Sequence, residues 1–209
     1  MTGRASDTRL SGFMMSQTDD PKLPGEIPTP VTGRVVGLAI ASRHRFSKLA
    51  RESLVLLECL GAEGDVHAGS FVRHRYLARR QPKMPNLRQV HLIPSELLDV
   101  LRADGYELRS GDLGENIMTA GLDLEALPLG TILKLGAQAA VELTGLRTPC
   151  VLIDRFKPGL KRKMLLQEPR RPRFRCGVMA VVRTSGRVAI ADAIDVRLLS
   201  RPFASLPEI

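Results

Sequence analysis

Thr131-Ile132-Leu133-Lys134-Leu135-Gly136-Ala137-Gln138-Ala139-Ala140-Val141-Glu142-Leu143-Thr144 decides the fold: two short apolar runs, residues 131–135 and 139–144, are parted by a glycine. Runs of this length, closed off by turn residues, predict strands rather than helices. The same texture extends outward in both directions. Upstream, strands are predicted from Val31 to Ile40, Arg88 to Ile93 and Glu115 to Thr119, and Ser53 to Leu60 is an apolar run entering a glycine-rich loop, Gly61 to Gly69. Downstream, Gly177 to Arg183 and Arg187 to Val196 are the predicted closing strands, joined by a turn at Ser185-Gly186. One helix stands out, with Ser95 as its expected N-cap, Glu96 in its first turn and Gly105 at its stop. A short basic helix is predicted over Leu160 to Gln167. Many short strands, glycine turns and few helices give a mainly β chain folded as a sandwich or barrel. No internal repeat is present.

Bulk properties narrow the class. At 209 residues the chain suits one domain, preceded by a head over residues 1–30 and followed by a tail over 201–209. The head, Met1 to Pro30, is rich in Ser, Thr, Asp and Pro and lacks periodicity; Met14 and Met15 offer alternative starts. No apolar run is long enough to span a bilayer, and the N-terminus lacks a basic segment followed by an apolar core. Three widely spaced cysteines without a Cys-x-x-Cys pair argue against a disulfide framework or a structural zinc site, and fit a reducing cytoplasm.

The net charge of +9 and isoelectric point near 10.1 imply attraction to phosphates, whether on nucleic acid, a membrane or a small cofactor, or simply a solvated basic face. Aromatic residues are only 4% and tryptophan is absent, so stacking platforms for single strands are poorly supplied. Nucleic acid is the lesser expectation.

Chemistry concentrates in Thr144-Gly145-Leu146-Arg147-Thr148-Pro149-Cys150. Proline fixes its own φ and pushes Thr148 toward an extended backbone, which places Cys150 rigidly. A neighbouring cation such as Arg147 favours thiolate, which is both a nucleophile and a soft metal ligand. The competing reading makes Cys150 a small buried hydrophobe.

Four further patterns flank that loop: Gly64-Asp65-Val66-His67-Ala68-Gly69, Gly111-Asp112-Leu113-Gly114-Glu115-Asn116-Ile117, Asp154-Arg155-Phe156-Lys157-Pro158-Gly159-Leu160 and Cys176-Gly177-Val178-Met179-Ala180. In this order, from about Val31 to about Val196, they resemble the MOSC domain family, named for the C-terminal domain of molybdenum cofactor sulfurase. The resemblance implies a MOSC-type β-barrel with a few short helices over residues 31–200. It also implies a molybdopterin-type cofactor, and a role for Cys150 as molybdenum ligand or persulfide carrier. One departure is local: Ala191 stands before Asp192 where many relatives have glycine. The chain lacks the length for the pyridoxal-phosphate desulfurase of the sulfurases or the companion β-barrel of the amidoxime-reducing relatives. It therefore resembles the stand-alone bacterial type, with any desulfurase or electron donor supplied in trans.

Such a cofactor needs a soft donor for metal or sulfur, cations for its phosphate and polar groups for its pterin edge. Cys150 takes the first role. Arg147 is expected to stabilise that thiolate or anchor phosphate, with Arg73 and Arg175 from the basic runs holding the cofactor. Asp65 and His67 alternate along a glycine-bounded loop, where they shape the pocket by hydrogen bonding, position a substrate or ligate metal. Glu115 and Asn116 either complete a tight turn or read a pterin edge; for Asp112 the turn role is favoured. Asp154, four residues past Cys150, orients a substrate or forms an ion pair with Arg155 or Arg147. Cys59 and His91 read as core, while Cys176 sits between Arg173 and Arg175 that would lower its pKa.

Three functions follow as expectations. The first is a molybdenum cofactor-dependent oxidoreductase reducing N-hydroxylated compounds. The second is a sulfur carrier holding a Cys150 persulfide for a metal–sulfur cluster or cofactor. The third is a basic nucleic-acid-binding module.

Overall fold

The computed structural model describes residues 32–73, 75–166, 173–199 and 202–209, without the side chains of residues 75–77. The expectation for the head falls outside these residues. The strands are β1 (Thr32–Ile40), β2 (Leu49–Arg51), β3 (Ser53–Leu57), β4 (Gly61–Ala62), β5 (Val90–Pro94), β6 (Ile117–Ala120), β7 (Ile132–Leu135), β8 (Ala139–Leu146), β9 (Leu165–Leu166), β10 (Arg173–Phe174), β11 (Val178–Thr184), β12 (Gly186–Ala189) and β13 (Ala193–Arg197). The helices are α1 (Arg75–Arg80), α2 (Ser95–Ala103), α3 (Leu152–Phe156) and α4 (Leu160–Lys163), with a 3-10 turn over Leu124–Ala126.

The main sheet runs β13-β7-β8-β11-β5-β6-β1-β2, and a further pairing of β13 with β1 closes seven of those strands into a barrel. The two apolar runs at 131–135 and 139–144 form the antiparallel pair β7–β8, with Leu133 opposite Val141. Along β8, Ala139, Val141, Leu143 and Gly145 are buried, while Ala140, Glu142, Thr144 and Leu146 are partly exposed. That alternation follows from the two-residue repeat of a strand and gives the barrel an aliphatic interior. The one parallel pairing among the described barrel strands, β5 with β6, requires a crossover, and α2 supplies it.

Two cores result. One fills the barrel, where Val35, Leu92, Leu133, Val141, Val178 and Ile194 meet. The other lies outside it, where Ile93 and Met118 receive Leu97, Leu98 and Leu101 of α2 and Ile153 and Leu160 of α3 and α4. β5 serves both because it is buried on both faces.

Several local expectations change. α2 starts after Pro94, which takes the N-cap position expected of Ser95, so no side chain caps the helix. The basic helix ends at Lys163 and gives way to β9; Gln167 lies outside the described residues. The single strand expected over Arg187 to Val196 is two strands. Ala191 adopts φ +73°, and the Asp192 carboxylate accepts the Ala189 amide, so the chain turns there. β12 then pairs with β3, and β13 with β7 and β1. Cys59 is exposed rather than core, sitting at φ +60° in the turn after β3. The last residues pack against the end of β8: the Ile209 amide donates to the Leu146 carbonyl, and the Leu146 amide to the Pro207 carbonyl.

Candidate functional site

On the outer face of β5 and β11, His91 stands opposite Met179. Their neighbours Leu92 and Val178 point the other way, into the barrel. Over this pair lies a hollow of about 140 Å³. Its walls come largely from four loops, with Gly114 and Asn116 added from the loop before β6. The loop after β8 brings Arg147, Thr148 and Cys150; the loop before β2 brings Arg45, Phe46 and Lys48. His67 and Arg73 come from beyond β4, and Asn86 and Arg88 from the approach to β5.

The loops are tied to each other through one sealed carboxylate. The Asp65 side chain has no exposure; its Oδ2 accepts Lys48 Nζ at 2.7 Å, Asn116 Nδ2 at 3.1 Å and the Ala41 amide at 3.2 Å. Its Oδ1 accepts the His67 amide at 2.9 Å and faces His67 Nδ1 at 3.3 Å. Burial alone would raise this carboxyl's pKa, but the bonds from His67 and the charge of Lys48 outweigh it and hold the pKa well below the usual carboxylate range. Lys48 is pulled down by its own burial against the attraction of Asp65. Asn86 completes the scaffold, donating to the carbonyls of His67 and Gly69 and accepting from the Arg88 amide.

The Gly111–Asn116 loop closes on this scaffold by backbone approach. A Cβ on Gly111, at φ +90°, would lie 2.6 Å from the Lys48 carbonyl, so only glycine fits. Asp112 performs turn chemistry, its Oδ2 accepting the Arg109 amide at 2.9 Å. Glu115 is buried behind the hollow and raised in pKa by that burial; its Oε1 accepts the Gly111 amide, and its Oε2 has no hydrogen-bond partner. Asn116 lines the hollow, yet both its amide hydrogens are committed, to Ala39 and Asp65, and its oxygen accepts the His91 amide.

The two cysteines near the site differ sharply. Cys150 is partly exposed on the hollow's wall. Cys176 is fully buried, and burial pushes its thiol pKa up despite the nearby Arg147. Arg147 lines the hollow together with Cys150, and its Nη1 donates to Cys176 Sγ at 2.7 Å. Burial lowers the pKa of Arg88, and the charge of Arg147 lowers it further.

Of the residues singled out in the sequence, the structure gathers Cys150, Arg147, Arg73, His67 and Asn116 at the hollow, with Asp65 directly beneath. Three lie elsewhere. Glu115 does not reach the hollow surface. Asp154 is exposed on α3, where its Oδ1 accepts the Lys161 amide at the start of α4; its predicted ion pair is replaced by this backbone cap. Arg175 lines a separate cleft of about 410 Å³ with Arg173 and Glu125. The sequence reading missed Lys48, Arg45, Arg88 and Asn86. It assigned His91 to the core, and His91 is indeed buried, its Nε2 at 2.8 Å from the Cys176 carbonyl oxygen and its pKa held well below the ordinary value by burial and Arg147. Strand alternation carried the missed signal: with Val90 and Leu92 inward, His91 must face outward.

Among the described residues, no group of three or more His, Cys, Asp or Glu is placed to hold a metal ion. No described helix is long and apolar enough to cross a membrane.

The MOSC domain matches residues 63–195, which take in the Asp65 loop, both cysteines and most of the barrel. The chain belongs to the MOSC domain family. The YuaD protein from Bacillus subtilis superposes with a TM-score of 0.67 at 22% identity, covering 82% of this chain and 99% of that one. YiiM from Escherichia coli gives 0.54 at 18% identity, covering 82% and 73%. YiiM from Geobacillus stearothermophilus gives 0.58 at 16%, covering 83% and 79%. At these identities the likeness is one of fold. No curated protein matches the chain.

Proposed function

We propose that this MOSC protein binds a molybdenum cofactor through Cys150 and serves the reduction of N-hydroxylated compounds, with electrons delivered by a separate protein. One observation carries the reading: a partly exposed thiol stands in a hollow lined by Arg45, Arg73, Arg88 and Arg147. A soft donor ringed by guanidinium groups suits a ligand that is both thiophilic and anionic. The donor set fits a molybdopterin: Cys150 would hold the metal and the arginines its phosphate. With no three-residue protein cage among the described residues, a metal at Cys150 would draw its remaining ligands from the cofactor. When bound, that group supplies the two-electron chemistry that side chains lack.

The chain's own residues do the rest. Lys48 and Asn116 fix Asp65, which fixes the His67 loop, so the cationic wall is rigid before anything binds. A free thiol in this role belongs in a reducing compartment such as the cytoplasm.

Metal analysis of protein made in a cofactor-competent host tests the proposal. Wild type should carry about one molybdenum per chain, and Cys150→Ala none, with turnover lost alongside the metal. A metal-free wild type bearing sulfur on Cys150 would transfer the reading to sulfur carriage. Metal retained by Cys150→Ala would end it.

A further inference from the structure

We propose that His67 is the proton donor of the hollow, oriented by Asp65, and that it protonates the oxygen leaving an N-hydroxylated substrate. The inference rests on the reductase reading above. Asp65 is completely sealed, whereas the His67 side chain keeps 32% of its surface exposed, so a fixed charge lies behind a group that a substrate can reach. Asp65 Oδ1 faces His67 Nδ1 at 3.3 Å. Its other oxygen is occupied by Lys48 and Asn116, so the carboxylate cannot swing away. An ionised carboxylate only accepts, which places a hydrogen on Nδ1 and leaves Nε2 as the nitrogen available to exchange protons with the hollow. The edge-on ring of His44 lies against the imidazole, with centroids 5.6 Å apart, and the Asn86 bond to the His67 carbonyl fixes the backbone that carries it. A carboxylate behind one imidazole nitrogen, with the other presented to substrate, is the arrangement by which proteins set tautomer and direction of proton transfer.

The step balances. Reduction of R–NH–OH to R–NH2 and water breaks the N–O bond and consumes two electrons and two protons. The electrons come from the separate donor protein. One proton passes from Nε2 of the His67 imidazolium to the departing oxygen, leaving a neutral ring with Nδ1–H on Asp65. The second reaches nitrogen from solvent, and solvent also recharges His67. Of the cations around the hollow, the arginines are poor donors because they do not give up protons near neutrality, and Lys48 is already engaged with Asp65.

Two measurements test this. The first needs no cofactor: long-range proton–nitrogen NMR on the metal-free protein, with the ring neutral, should show His67 as the Nδ1–H tautomer, against the Nε2–H form that free imidazole favours. The four histidines are assigned by single replacement. An Nε2–H signal overturns the proposal. The second compares His67→Gln with wild type: turnover should fall about 100-fold or more at unchanged molybdenum content. Turnover within about threefold of wild type overturns the proton role, and loss of molybdenum would make His67 a cofactor-holding residue instead. A wild type without molybdenum sinks the reductase reading, and the proton role falls with it; the NMR result then reports separately on the Asp65–His67 pair.

Discussion

The two faces of β5 carry opposite chemistries on one five-residue strand. Inward, Val90 and Leu92 join an aliphatic core that contains no charge; outward, His91 floors a hollow lined by four arginines and a lysine. Burial is nearly complete on both sides, so exposure does not distinguish them. What differs is that His91 has hydrogen-bonding neighbours, whereas Val90 and Leu92, and Ile93 farther along the outer face, have hydrocarbon ones. The inner face is tolerant of which aliphatic side chain fills it, provided volume is kept. The outer face depends on each polar atom finding its one partner, and it loses more when a partner is taken away.

Asp65→Asn should show the largest effect. It leaves the Lys48 ammonium buried without its counter-charge, and breaking such a pair costs about 3–5 kcal/mol. Chemical denaturation at neutral pH measures it. Because the folded-state pKa of Asp65 lies below its unfolded value, the stabilisation is complete above the ordinary carboxylate range and is lost as pH falls through and below it. The gap between wild type and variant should therefore narrow in acid. A gap that widened in acid would show that Asp65 is not the anchor of this face.

Leu92→Ala tests the inner face. Removing a fully buried leucine side chain costs about 2–5 kcal/mol, the spread reflecting how far the barrel collapses around the void. The contrast with Asp65→Asn lies in function: molybdenum content per folded Leu92→Ala chain should match wild type. A loss of metal there would mean that the two faces are coupled through the strand, and the division drawn here would fail.

The same division explains what the sequence disclosed. Residues 139–144 read directly as a strand, because strand formation there depends on near neighbours in sequence, and the structure extends the strand to Leu146. The break at Ala191 showed only as a missing glycine, because what parts the two strands is that β12 pairs with β3 while β13 pairs with β7 and β1. At the site, Cys150 and His67 were visible as residue types in glycine- and proline-bounded loops. Lys48 was not, because an isolated lysine in a basic chain has no distinguishing mark until the fold brings Asp65 within 2.7 Å of it. The Arg147 bond to Cys176 was equally hidden, because 29 residues of chain separate the guanidinium from that sulfur.

His91→Gln should give the smallest effect at neutral pH and the most specific one. Glutamine keeps an N–H able to reach the Cys176 carbonyl but cannot take up a proton. In wild type, burial and the charge of Arg147 hold His91 neutral in the folded state, whereas in the unfolded chain it protonates near its ordinary value of about 6.5. Above that pH both states bind the same number of protons and His91 contributes no slope. Below it the unfolded state binds one more, so stability falls by up to about 1.4 kcal/mol for each pH unit of further acidification. The variant should lack that share of the slope below about pH 6, while behaving like wild type in slope above pH 7. Denaturation midpoints across this range decide the matter. Parallel curves for the two proteins would mean that His91 charges in place, and that the floor of the hollow is wetter and less constrained than its hydrogen bonds imply.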